Sequence, residues 1–142
     1  MAIKRMCAVA VLAQWALVLT SAHAADVTVR VEGVERADGR VMVALFDKEE
    51  EFPRGTRRFG EMADAVRGAV TVVFRDVPPG RYAASLYHDL NRNERLDANL
   101  LGIPSEPYGF SRNARGKLAP PKFDDAAFTV ADEPVNLVVQ VK

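Results

Sequence analysis

The chain has 142 residues, with 19 basic and 19 acidic side chains and no formal net charge. One cysteine, Cys7, and two histidines, His23 and His88, leave little for a disulfide framework or a zinc cage of several histidines or cysteines. No excess of positive charge points to nucleic acid or to an anionic membrane.

The N-terminal segment reads as an export signal. Lys4 and Arg5 form a positive start, Met6 to Leu19 is apolar apart from Gln14, and Ala22-His23-Ala24 has the small-x-small form of a cleavage site. The apolar run of 14 residues is shorter than the roughly 20 needed to cross a bilayer. The expectation is a signal peptide over 1–24, cut before Ala25, and a periplasmic or secreted product. Cleavage leaves 118 of the 142 residues as one domain, 25–142, with no further transmembrane segment. It also removes Cys7, Trp15, Lys4 and Arg5, so 17 basic residues face 19 acidic ones, a net of −2.

In the remaining chain Val27, Val29 and Val31 alternate with polar residues, which predicts a strand with one wet face. Ala37-Asp38-Gly39-Arg40 is a turn signal, and Val41 to Phe46 is apolar throughout, a central strand covered on both faces. The two strands are expected to form an opening hairpin. Between Asp47 and Gly68 the pattern is irregular, with a short helix near 60–66 as one reading. Phe52, Phe59 and Met62 are candidates to pin this region down. Ala69 to Phe74 and Arg81 to His88 flank Pro78-Pro79-Gly80, and a second hairpin is expected there. Ala126 to Val130 and the alternating Val135, Leu137, Val139 and Val141 close the chain. Short strands with few helical patterns predict an all-β domain: an antiparallel, immunoglobulin-like or prealbumin-like β-sandwich of about seven strands with one long ordered loop. A small barrel is the alternative.

That loop, 89–125, spans 37 residues without strong periodicity. A connection of this length in a compact domain is functional or disordered. Its apolar content, including Leu100, Leu101, Ile103, Tyr108, Phe110 and Phe123, argues for an ordered cap.

Several segments together carry a family resemblance: Val41 to Phe46, Val77-Pro78-Pro79-Gly80-Arg81-Tyr82, His88-Asp89-Leu90-Asn91, Leu101-Gly102-Ile103-Pro104, Tyr108-Gly109-Phe110-Ser111 and Pro121 to Ala126. The chain resembles the bacterial exported domains of unknown function grouped as DUF2141. The resemblance implies a single exported β-domain and brings no activity or ligand with it. A narrower segment is similar to the calcium loops of β-sandwich repeat domains on bacterial surfaces, which read Asp-x-Asn-x-Asn-Gly-x-x-Asp. Asp89, Asn91, Asn93 and Asp97 match, and the carbonyl of Arg95 falls at the seventh position. Glu94 replaces the usual glycine, and Leu100 stands where a bidentate acid would be.

Oxygen ligands at alternate positions suit a hard cation, which takes six to eight oxygens at about 2.3–2.6 Å. Calcium is therefore the candidate cofactor. Glu94, Asn99, Asp124 and Asp125 are further donors that could complete the shell. The competing reading is that Asp89, Asn91 and Asn93 form Asx-turns with their own backbone. His88, Tyr108 and Phe110 are the candidate ligand contacts, with Tyr108 and Phe110 expected to be exposed, for an unidentified protein or carbohydrate partner. No Gly-x-Ser-x-Gly elbow is present, and the sequence points to a non-enzymatic binding or structural module. The rival is a small periplasmic hydrolase that uses His88 with Asp89 or Asp97.

Overall fold

A computed structural model describes residues 23–142. The expected signal peptide lies outside the described residues through position 22. Eight strands follow in chain order: β1 (Ala25–Val34), β2 (Arg40–Phe46), β3 (Phe59–Asp64), β4 (Gly68–Val77), β5 (Gly80–Asp89), β6 (Tyr108–Phe110), β7 (Phe128–Val130) and β8 (Val135–Gln140). A 3-10 turn (Ser111–Asn113) follows β6, and a short α-helix, α1 (Phe123–Ala126), precedes β7.

The strands form two sheets. One has the order β4-β1-β8; the other has β3-β2-β5-β6, with β7 also on β5. All pairs are antiparallel except β1 with β8. This is the expected all-β sandwich. The period of two explains its core. Val27, Val29 and Val31 of β1 face Val41, Val43 and Leu45 of β2 across the interior, and all are buried.

Both expected hairpins are corrected. β1 and β2 lie in different sheets, and so do β4 and β5. Each strand of the first pair carries an apolar row, and those rows bury against each other only when they face across the sandwich. At the second connection Pro78 and Pro79 have no N–H to extend a ladder beyond Val77, so the chain crosses to the other layer. The helix expected near 60–66 is also corrected. Phe59–Asp64 is a strand, paired in register with β2 from Leu45↔Phe59 to Arg40↔Asp64. The open edge of β2 overrides a local sequence poor in β-branched residues.

The outer face of the five-stranded sheet carries a second core. Phe46, Ala83, Phe110, Phe123, Ala126 and Ala127 are buried there. Phe52 reaches over from the 47–58 loop and meets Phe46, Phe110 and Phe123 edge-on at centroid distances of 5.6, 5.7 and 6.0 Å. Phe59 packs near Tyr82 instead, and Met62 is half exposed. β2 is thus covered on both sides, as its unbroken apolar run predicts.

β6 pairs with Ser85, Leu86 and Tyr87, while β7 pairs with Gly80, Arg81 and Tyr82, so both lie along the same edge of β5. The segment between them folds over the outer face and returns. The later part of the long connection, 108–127, is therefore a packed cap, whereas Leu100, Leu101 and Ile103, expected to pack down with it, are exposed.

Candidate functional site

β5 ends by delivering two neighbouring side chains to opposite faces. His88 turns inward and is buried; its Nε2 lies 2.6 Å from the Asp38 carbonyl, in the connection that leads into β2. Asp89 turns toward the loop and is fully buried. Gly39 passes directly over it. A Cβ at Gly39 would lie 2.0 Å from the Asp89 carbonyl, and its φ of 77° also requires glycine.

The Asp89 carboxylate organises the turn that follows. Its Oδ1 accepts the Asn93 N–H at 3.0 Å and its Oδ2 the Glu94 N–H at 2.9 Å. Asn91 Oδ1 accepts the Asn93 N–H, and Asn93 Oδ1 accepts the Arg95 N–H, two Asx-turns in series. The side-chain amides of Asn91 and Asn93 then donate to the two oxygens of Asp97, at 2.6 and 2.9 Å. Four of the residues read from the sequence are thereby drawn around one turn. Arg95 is exposed beside it. Glu94 takes a φ of 61°, the left-handed conformation for which glycine serves in the calcium loops this segment resembles.

Glu106 completes the arrangement. Its carboxylate is buried, with Oε1 accepting the Leu90 N–H at 2.8 Å and Oε2 the Asp97 N–H at 3.0 Å. One side chain thus clasps both ends of the turn. Sequence reasoning missed it, because it is nine positions beyond Asp97. Its only signal is a lone acid between Pro104 and Pro107, in a stretch where proline leaves carbonyls but few donors. Leu100, at the position of the absent acid, points fully into solvent.

Burial pushes the Tyr87 phenol up to about 12, and the carboxylates of Asp89 and Glu106 add to the effect. Among the described residues, no three His, Cys, Asp or Glu side chains come together as a ready metal cage. A cation would rely on the mixed set, the Asp89 and Asp97 carboxylates with the Asn91, Asn93 and Arg95 oxygens. That set is all oxygen, as calcium requires. Its amide oxygens serve backbone N–H groups in this structure.

The other expected contacts are placed differently. Phe110 is buried in the second core, so the expectation of an exposed contact is corrected: its ring is needed to cover Phe52. Tyr108 is half-buried and stacks edge-on against Phe110 at 5.8 Å. Its backbone exchanges two hydrogen bonds with Lys142, which ties the cap to the end of β8. Gly109 between them lies so close to β8 that a Cβ would come within 2.6 Å of the Gln140 carbonyl. Among the described residues, no hydrogen bond joins His88 to an aspartate carboxylate. Asp124 pairs with Arg81 at 2.7 Å, at the other end of β5. Ser111 was also missed as a structural residue. Fully buried, it accepts the Ala84 N–H at 2.8 Å and donates to the Ala126 carbonyl, joining cap to sheet.

Fold and loop together define an all-β sandwich with a carboxylate-organised cap. The chain belongs to the DUF2141 family, described as "Uncharacterized protein conserved in bacteria", whose model matches residues 29–137. No curated protein matches, and no solved structure does.

Proposed function

We propose that this chain is an exported, non-enzymatic binding or structural module whose working surface is the 88–125 segment, with the Asp89–Asp97 turn ordered by calcium. The observation that carries the reading is the pair of buried carboxylates, Asp89 and Glu106, both committed to the backbone of one exposed turn. Isolated buried charge is costly unless strongly compensated. Backbone N–H groups compensate part of it. A divalent cation held by Asp89, Asn91, Asn93, Asp97 and the Arg95 carbonyl supplies the balancing charge and reduces the freedom of a long connection. The ordered cap then presents its exposed residues to a protein or carbohydrate partner in the periplasm or outside the cell.

Thermal melting with calcium and with chelator tests this. A ligand that binds only the folded state stabilises by about 2.7 kcal/mol at a hundredfold excess over its Kd, a rise of several degrees for a domain of this size. Asp89→Ala and Asp97→Ala remove the rise. Unchanged melting at millimolar calcium rejects the metal.

A further inference from the structure

The strongest feature outside the carboxylate turn is a side-chain pair beside it, Arg40 and Met62. Cross-strand register sets Met62 of β3 next to Met42 of β2, and Met42 next to Tyr87 of β5, on the outer face of the five-stranded sheet. Met42 and Met62 are the only methionines among the described residues. Met42 is half-buried between its neighbours, whereas Met62, on the edge strand, is 48% exposed. Met62 opens onto a surface hollow of about 490 Å³, which Arg40, Asp64 and Arg92 also line.

One nitrogen of Arg40 is shared between two poor partners. Its Nη1 donates to Met62 Sδ at 3.4 Å, and the same atom lies 3.7 Å from Glu94 Oε1. A thioether is a weak acceptor, and 3.7 Å is too long for a hydrogen bond to the carboxylate. Arg92, across the hollow, is held more firmly: its Nη2 donates to Asp64 Oδ1 at 3.2 Å and to the Gly39 carbonyl at 3.3 Å. Arg40 is therefore poised, and whichever of its two acceptors strengthens draws it. Glu94 belongs to the carboxylate turn through its N–H bond to Asp89, so a movement of Arg40 reaches that turn.

We propose that Met62 is a peroxide-reactive modification site, and that its sulfoxide draws Arg40 off Glu94 and so transmits oxidation to the Asp89–Asp97 turn. A lone pair of the sulfur attacks one oxygen of hydrogen peroxide. The S–O bond forms as the O–O bond breaks, and the other oxygen takes the proton of the first and leaves as water. The sulfur is oxidised and the peroxide reduced by one electron pair. The product oxygen turns a weak acceptor into a strong, polar one on the same sulfur, and a guanidinium bond to it is charge-assisted. Methionine sulfoxide reductases reverse the change. That the message matters to function rests on the reading of the 88–125 segment as the working surface.

The test treats the protein with hydrogen peroxide in chelator. Peptide mass spectrometry follows the oxygen gained at each methionine, and amide NMR follows the turn. Met62 is expected to oxidise several-fold faster than Met42, and its oxidation to shift the amide signals of Asn93, Glu94 and Arg95. The two methionine sulfoxide reductases, one for each epimer, return those signals. Met62→Leu removes the peroxide-dependent shift. Arg40→Gln leaves Met62 open to oxidation and also removes the shift. Comparing oxidised with reduced protein within each variant cancels whatever the substitution itself does to the sheet. Oxidation of Met42 as fast as Met62 overturns the proposal. So do turn signals that stay in place once Met62 carries its oxygen, or that move equally in Arg40→Gln. Every arm is read in chelator, so a missing calcium response removes the metal and leaves this inference standing, whereas unmoved turn signals remove this inference and leave the calcium response.

Discussion

Replacing Glu106 by alanine tests the clasp that closes the turn. The carboxylate accepts two backbone N–H groups, from Leu90 and Asp97. A hydrogen bond to a charged group contributes about 1.5–3 kcal/mol, so the two together amount to roughly 3–6 kcal/mol. Two effects reduce this. Leu90 and Asp97 are half-buried, so water reaches part of the vacated space. Removing one carboxylate also takes a negative charge away from the buried Asp89. The net loss expected without calcium is about 2–3 kcal/mol, on the order of 6–12 °C in Tm for a domain of this length. Denaturant unfolding at neutral pH, with chelator present, gives the number directly. Hydrogen exchange places it: amides from Leu90 to Asp97 become freely exchanging, while the Val27–Val31 ladder loses only what the fall in global stability takes. A change below about 0.5 kcal/mol, the range of an ordinary surface substitution, refutes the view that Glu106 holds the turn.

Ser111→Ala leaves the buried Ala84 N–H without its acceptor and costs about 2–4 kcal/mol in denaturant unfolding; the largest rise in exchange should fall in the 108–127 cap. Glu94→Gly relieves a left-handed backbone position, strained by about 1–2 kcal/mol for a residue with a Cβ. It also adds freedom to the unfolded chain, so a net gain of roughly 0.5–1 kcal/mol is expected in the same assay. The third prediction concerns alkaline pH. Because the folded-state pKa of Tyr87 is raised to about 12, the folded protein holds this proton more tightly than the unfolded chain, whose tyrosines titrate near 10. The contribution is complete below pH 10 and is lost as pH rises from there through 12. Absorbance titration of wild type against Tyr87→Phe isolates it: the late-ionising phenol disappears in the variant.

The strands were legible because apolar alternation reports which face is dry. Val27–Val31 and Val135–Val141 have that pattern, and the unbroken run at Val41–Phe46 correctly implied cover on both faces. Which strands pair was not legible. Ala37-Asp38-Gly39-Arg40 and Pro78-Pro79-Gly80 are turn sequences that serve equally in a hairpin or in a crossing between layers. β3 was hidden because its pairing comes from the edge of β2 rather than from its own residues.

At the site, spacing alone drew Asp89, Asn91, Asn93 and Asp97 together, since they lie within nine residues of one chain turn. Glu106 and Ser111 depend on contacts across 16 and 27 residues of sequence, which local pattern does not encode. Phe110 was misplaced for the same reason. A loop aromatic looks available for a ligand until the second core, with Phe52 arriving from 58 positions upstream, is known.

The account is tested most directly by amide hydrogen exchange across 88–106, measured in chelator and then in millimolar calcium. Added calcium should slow exchange most at Asn93, Glu94, Arg95 and Asp97, whose N–H groups are bound to the carboxylates and amides of this turn, while the sheet ladders slow only by the gain in global stability. Equal exchange in both conditions, or faster exchange with calcium, contradicts a cation-ordered working surface.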